Sequence, residues 1–254
     1  MLIISYVTGN DSAIIAYLLQ QMHKAFSMKE LGSLSYFLGI SVHSDEHGYF
    51  LSRAKYAAAL LHKAGLQDCK PCSFPMVVKT VCSAADSLPF AQPFLYRSLV
   101  GGLQYLTITR PDLSYAINQV CPFMHLPTNA HFQVVKRLLR YVKGTLSHGL
   151  SFIPSPFDLS AFSDSNWGSD SLDRKSTFSY CVYLGSNLIS WSAKKQATIY
   201  RSSTEAEYRA LAHTIAELTW IQQLLKDFRV SSSTIPAICY RFIFHDFVWL
   251  WVVI

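Results

Sequence analysis

The chain has 254 residues, half of them hydrophobic, a formal net charge of +6 and a pI of about 9.0. That composition excludes a disordered tail and suits one or two globular domains, while its modest basicity fits a polyanionic partner without demonstrating one. Six cysteines, at 69, 72, 82, 121, 181 and 239, lack the spacing of a secreted disulfide framework, so a reducing, intracellular compartment is expected.

In chain order, residues 1–7 (MLIISYV) read as a buried strand, too short and wrongly flanked for a signal peptide. Asn10 or Asp11 then caps a helix whose Ile14, Ile15, Leu18, Leu19, Met22 and Phe26 recur at helical spacing, as core packing requires. Tyr36 to Ser52 reads as a hairpin around an Asp-Glu-His-Gly turn, and Ala54 to Ala64 as a helix stopped by Gly65. Cys69-Lys-Pro-Cys72 has the spacing of half a zinc knuckle, but no second ligand pair follows, which favours an ordinary loop. Residues 68–93, irregular around Pro71, Pro75 and Pro89, form the expected linker.

Three helical stretches follow, Phe94 to Leu106, Pro111 to Met124 and Asn129 to Val142, and suggest a small bundle. The last sets Val135, Leu138, Leu139 and Val142 against Lys136, Arg137, Arg140 and Lys143, a cationic face that is either simply solvated or able to track phosphates. Gly149 to Ser163, Ser176 to Leu184 and Asn187 to Ser192 read as strands. A helix from Thr204 to about Phe228, broken near His213, and a strand Ile235 to Tyr240 complete the order.

Two acids stand out. Asp164 falls at the polar end of an alternating strand, and Glu207 lies on the same helical stripe as Leu211, Ile215 and Leu218. Thr204 and Glu207 also have capping-box spacing, so Glu207 reads either as a cap or as half of a carboxylate pair for a hard divalent cation.

Several long blocks then carry a resemblance. AFSDSNWGSD (161–170), DRKSTFSYCVYLG (173–185), ISWSAKKQ (189–196) and RSSTEAEYRALAHTIAELTW (201–220) resemble the ribonuclease H region of copia-type LTR retrotransposon polyproteins. FSMKELGSLSYFLGI (26–40), YRSLVGGLQYLTITRPDLSYAIN (96–118) and VVKRLLRYVKGTLSHGL (134–150) resemble the end of that family's reverse transcriptase.

The resemblance implies an α+β or α/β chain. It would comprise a reverse transcriptase palm remnant (1–67), a linker (68–93), a helical thumb or connection (94–148), an incomplete ribonuclease H-like mixed sheet with packed helices (149–240) and a divergent apolar tail (241–254). Phe37, Leu38, Gly39 and Ile40 would form a primer-grip-like hairpin. Asp164 and Glu207 would be catalytic ligands of Mg²⁺, and an RNA–DNA hybrid would be the nucleic-acid partner, held by Lys136, Arg137, Arg140, Lys143, Arg174, Lys175, Lys194, Lys195, Arg201 and Arg209.

Departures from the family pattern temper this. The polymerase's paired aspartates would lie before Met1, so polymerase activity is expected to be absent. The family's Cys-Asp-Asn is replaced by Cys239-Tyr240-Arg241, Asn166 stands where aspartate is usual, and the tail, interrupted by His245 and Asp246, is shorter than the ~20 apolar residues of a bilayer span. With Asp164 and Glu207 alone, Mg²⁺ binding is expected to be weak or absent and nuclease activity defective, which leaves a non-catalytic hybrid-binding fragment or a relic as the alternatives.

Overall fold

Asp11 starts the first helix. Its carboxylate accepts hydrogen bonds from the N–H groups of Ala13 (2.9 Å) and Ile14 (3.2 Å), which caps α1 (Ser12–Ala25). The computed structural model describes residues 7–9, 11–26, 32, 34–76, 88–169, 173–230, 234–244 and 246–253, as backbone only beyond Cys239. The strand expected at 1–7 lies almost wholly outside these residues, as does Cys82. The chain divides into two units, 1–35 and 36–254. Within the first, α1 buries none of its residues, so the core packing expected of Ile14 and Leu18 is not found there: they are 57% and 44% exposed.

In the second unit, the hairpin around Asp45 to Gly48 forms as the sequence predicts. Asp45 Oδ1 accepts from the N–H groups of His47 (2.8 Å) and Gly48 (3.0 Å) and so builds its own turn. The sheet is larger than one hairpin, however. Its order is β1 (Tyr36–Phe37), β2 (Ile40–Asp45), β3 (Gly48–Ser52) and β4 (Leu150–Phe152), antiparallel throughout. The strand expected at 149–163 is therefore split. Its first residues pair with β3, Pro154 and Pro156 interrupt the ladder, and the rest enters a second sheet.

Between β3 and β4 in the chain come α2 (Ala54–Lys63), α3 (Pro93–Leu106), α4 (Ser114–Val120) and α5 (Asn129–Gly144). They share a core of fully buried Leu99, Leu103, Leu113, Leu138 and Leu139 around Tyr96, whose hydroxyl donates to the Val120 carbonyl at 2.8 Å. The stretch expected as one helix from Pro111 is a short α-helix between two 3₁₀ turns, Pro111–Leu113 and Cys121–Met124. Residues 69–72 of the expected linker dock on α5: Cys72 N–H donates to the Arg140 carbonyl (3.3 Å), and its thiol donates to the Arg137 carbonyl (3.4 Å). All five described cysteines are free thiols.

The second sheet has the order β7-β6-β5-β8-β9, with β5 (Leu159–Asn166) antiparallel to β6 (Thr177–Leu184), β6 antiparallel to β7 (Asn187–Lys195), β8 (Ala237–Phe244) parallel to β5, and β9 (Asp246–Val253) antiparallel to β8. The apolar tail thus forms an edge strand. One long helix, α6 (Ser203–Asp227), packs on β5 through Leu218 and Ile221 against Leu159, Ala161 and Ile238. It runs unbroken through His213, whose ring stacks on Phe178 at 4.7 Å, so the break expected there is absent. The bundle is tied to β7 by Trp191 Nε1–H on the Thr107 carbonyl (3.1 Å) and by Asn118 on the Ala193 carbonyl. No described helix is long and apolar enough to cross a membrane.

Candidate active site and nucleic-acid interface

Strand β5 alternates strictly. Ala161, Ser163 and Ser165 are buried beneath α6, while Phe162, Asp164 and Asn166 are exposed on the other face. Ser163 accepts a hydrogen bond from the buried Thr214 hydroxyl of α6 at 3.0 Å, which fixes the height of the helix along the strand. Asp164 therefore opens onto the sheet face away from α6, into a cleft of about 250 Å³ lined also by Phe162, Ser179, Cys181 and Cys239.

Glu207 reaches the same strand end from the helix. The N-cap of α6 is Ser202, whose hydroxyl accepts from the Glu205 N–H at 3.1 Å; it is not Thr204. Glu205 in turn accepts from the Arg201 N–H at 3.1 Å, so Glu205 serves the helix start and Glu207 is released from the capping role. Glu207 is only 9% exposed. Burial first, and then the Asp164 charge, push its carboxyl up to about 7 against the opposing pull of a hydrogen bond from the Ser165 backbone. The two acids thus flank the end of β5 from opposite faces, close enough to repel.

That donor set does not fit a two-ion centre. A hard cation of this kind takes six or more oxygens, and two ions need several carboxylates to offset their charge. Among the described residues no three His, Cys, Asp or Glu side chains gather to hold a metal ion. One of the two acids also carries a proton through much of the range below neutrality.

The predicted cationic residues fall into two groups. On α5 they form a half-buried surface, not an open one. Arg140 Nε donates to the Lys70 carbonyl at 2.7 Å, Lys136 lies over the Phe132 ring at 5.0 Å, and Arg137 Nε is buried without a hydrogen-bond partner. Lys143 is half-buried beside them. Around the second sheet, Arg174, Lys194 and Arg201 are exposed, whereas Lys175 and Lys195 share Asp173 at 3.7 and 2.9 Å.

The Phe37 to Ile40 segment is a tight two-residue turn with positive φ at Leu38 (49°) and Gly39 (77°), the pattern of a type I′ hairpin. Leu38 is 68% exposed at its tip. The turn is held from behind by residues that a local reading of the sequence misses. The Leu38 carbonyl accepts from the Tyr105 hydroxyl (3.0 Å) and from buried Arg53 (3.3 Å), whose guanidinium also donates to the Tyr105 carbonyl (2.6 Å) and lies 3.7 Å over the Tyr105 ring. Gly39 faces that same hydroxyl: a Cβ there would lie 3.3 Å from it.

Residues 3–78 match the family model described as Reverse transcriptase (RNA-dependent DNA polymerase). The chain is 51% identical over 215 residues to an uncharacterized mitochondrial protein of Arabidopsis thaliana, which covers 84% of this chain and 89% of that protein. It is 42% identical over 233 residues to the retrovirus-related Pol polyprotein from transposon RE2 of Arabidopsis thaliana (91% of this chain, 16% of the polyprotein). It is 30% identical over 242 residues to that from transposon TNT 1-94 of Nicotiana tabacum (92% and 18%). The chain belongs to the family of copia-type retrotransposon polyproteins and includes a reverse transcriptase-like segment. It spans less than a fifth of the length of those Pol polyproteins.

Proposed function

We propose that residues 149–240 are an incomplete ribonuclease H-like domain that binds an RNA–DNA hybrid and cleaves it poorly. In this reading residues 1–67 are a polymerase palm remnant, 68–93 a linker and 94–148 a thumb or connection. The observation that carries the proposal is the placement of Asp164 and Glu207 at one strand end: three antiparallel strands, a long helix and a parallel fourth strand set the two acids at the end of β5, from opposite faces but within electrostatic reach. The position in β8 beside this end is not acidic. Ser163 pairs with Tyr240, and Arg241 follows, where the resembled family has its next aspartate and asparagine.

Binding does not need the missing acids. The exposed cations Arg174, just before β6, Lys194 on the edge strand β7, and Arg201 and Arg209 at the start of α6 can bind phosphates without a metal. Retardation of a labelled RNA–DNA hybrid by the full chain is expected at 50 mM salt. About four phosphate contacts would weaken it on the order of 100-fold by 200 mM. Cleavage with Mg²⁺ or Mn²⁺ is expected to be at background. Robust turnover that Asp164→Asn abolishes would show a functional metal centre and end the proposal of a defective enzyme; no retardation at any salt would end the hybrid-binding reading.

A further inference from the structure

The turn after Asn166 exposes an indole beside the candidate site. Trp167 is 44% exposed, yet its ring is pinned, because Nε1–H donates to the Tyr200 carbonyl at 2.9 Å. The Tyr200 ring lies under the Arg209 guanidinium at 5.6 Å, which couples the 197–202 loop to α6. At the next residue, Gly168 (φ 57°) leaves space for the Arg174 guanidinium, one of whose nitrogens lies 3.5 Å from where a Cβ would stand. Arg174 itself takes a left-handed φ of 55°, a conformation that costs an arginine energy.

We infer that Trp167, fixed by the Tyr200 carbonyl, with Arg174 packed at the neighbouring Gly168 and Arg209 over the Tyr200 ring, is a stacking shelf for an unpaired base of a nucleic-acid strand. An immobilised aromatic face with guanidinium groups on neighbouring residues matches the two parts of a nucleotide. The ring takes the base's π-face and the guanidinium groups take its phosphates. A partner without bases would use the cations but not the indole. This inference rests on the nucleic-acid reading above and adds a subsite for a single-stranded segment continuous with the hybrid.

The test is a titration of the full chain, at 50 mM salt, with a fluorescent single-stranded oligodeoxythymidylate and, separately, with inorganic polyphosphate. Trp167→Ala is expected to weaken oligonucleotide binding on the order of tenfold and to leave polyphosphate binding unchanged. Trp167→Phe, which keeps an aromatic face, is expected to stay within about threefold of the native chain. It guards against a fold lost through the alanine variant. Equal oligonucleotide affinities for native and alanine chains, with the hybrid still retarded, would overturn the shelf alone. Parallel losses for oligonucleotide and polyphosphate would do the same. Failure of the native chain to bind hybrid or oligonucleotide would remove both the shelf and the reading beneath it.

Discussion

Arg110→Ala is expected to destabilise the second unit by about 3 kcal/mol or more, read as a fall in the urea midpoint. Arg110 is 4% exposed at the turn between α3 and α4. Its guanidinium donates from Nε (2.9 Å) and Nη2 (2.7 Å) to both oxygens of Asp112, from Nη1 to the Thr145 carbonyl (2.9 Å) and from Nη2 to the Thr145 hydroxyl (2.7 Å). The Tyr141 hydroxyl completes the network on Asp112 at 3.0 Å. One side chain therefore joins the α3–α4 turn to the C-terminus of α5, and its removal leaves a half-buried carboxylate with only the Tyr141 hydroxyl as partner. Arg110→Lys keeps the charge but loses the fork, and is expected to recover only part of the loss.

The same network predicts an acid limb in the stability curve. Burial alone would raise the Asp112 carboxyl, but the hydrogen bonds and charge of Arg110, with the Tyr141 hydroxyl, outweigh it and hold Asp112 below its ordinary value. A carboxyl depressed in the folded state contributes stability that is present above its unfolded value and is lost as pH falls through the folded one. Arg110→Ala should flatten that limb.

Glu207 works in the opposite sense and supplies the second large effect. Its carboxyl is raised from an ordinary 4.5 to about 7, so between those values the folded chain keeps a proton that the unfolded chain has released. Stability then falls as pH rises through this window and levels off above it. The gap corresponds to roughly 3 kcal/mol. Solvent screening at this half-buried carboxyl reduces that figure. Glu207→Gln is expected to match the native chain near pH 4 and to exceed it by about 2–3 kcal/mol at pH 8. Asp164→Asn should recover a smaller share, since burial outranks the Asp164 charge as the cause. A pH-independent difference between Glu207→Gln and the native chain would contradict the placement of this acid.

These features were not equally legible in the sequence. Capping by Asp11 and the Asp45 turn could be read directly, because a short side chain bonds its own backbone within three residues. Glu207 could be singled out by helical phase, but its freedom from the cap could not. The run Arg201-Ser202-Ser203-Thr204 offers three hydroxyls, and the Glu205 bond to Arg201 selects Ser202 among them.

Long-range features left weaker traces. The lock on the Leu38 turn joins Arg53 to Tyr105, 52 residues apart, and no local pattern marks it. Amphipathicity correctly drew the apolar stripe of α5 but could not show that the loop at Cys69 to Cys72 would cover part of the opposite face. Pro154 and Pro156 did carry a signal: two prolines within an expected strand mark the break between β4 and β5. Trp167 offered composition but no geometry, since its role depends on the carbonyl of Tyr200, thirty-three residues on.

The most direct test is a Mn²⁺ titration of the full chain by electron paramagnetic resonance at pH 7.5, comparing the native protein with Asp164→Asn. The electrostatics at the end of β5 predict at most one weakly held ion, with a dissociation constant on the order of millimolar, lost in the variant. Two ions held tightly enough to saturate at micromolar concentration would contradict the charge-deficient site.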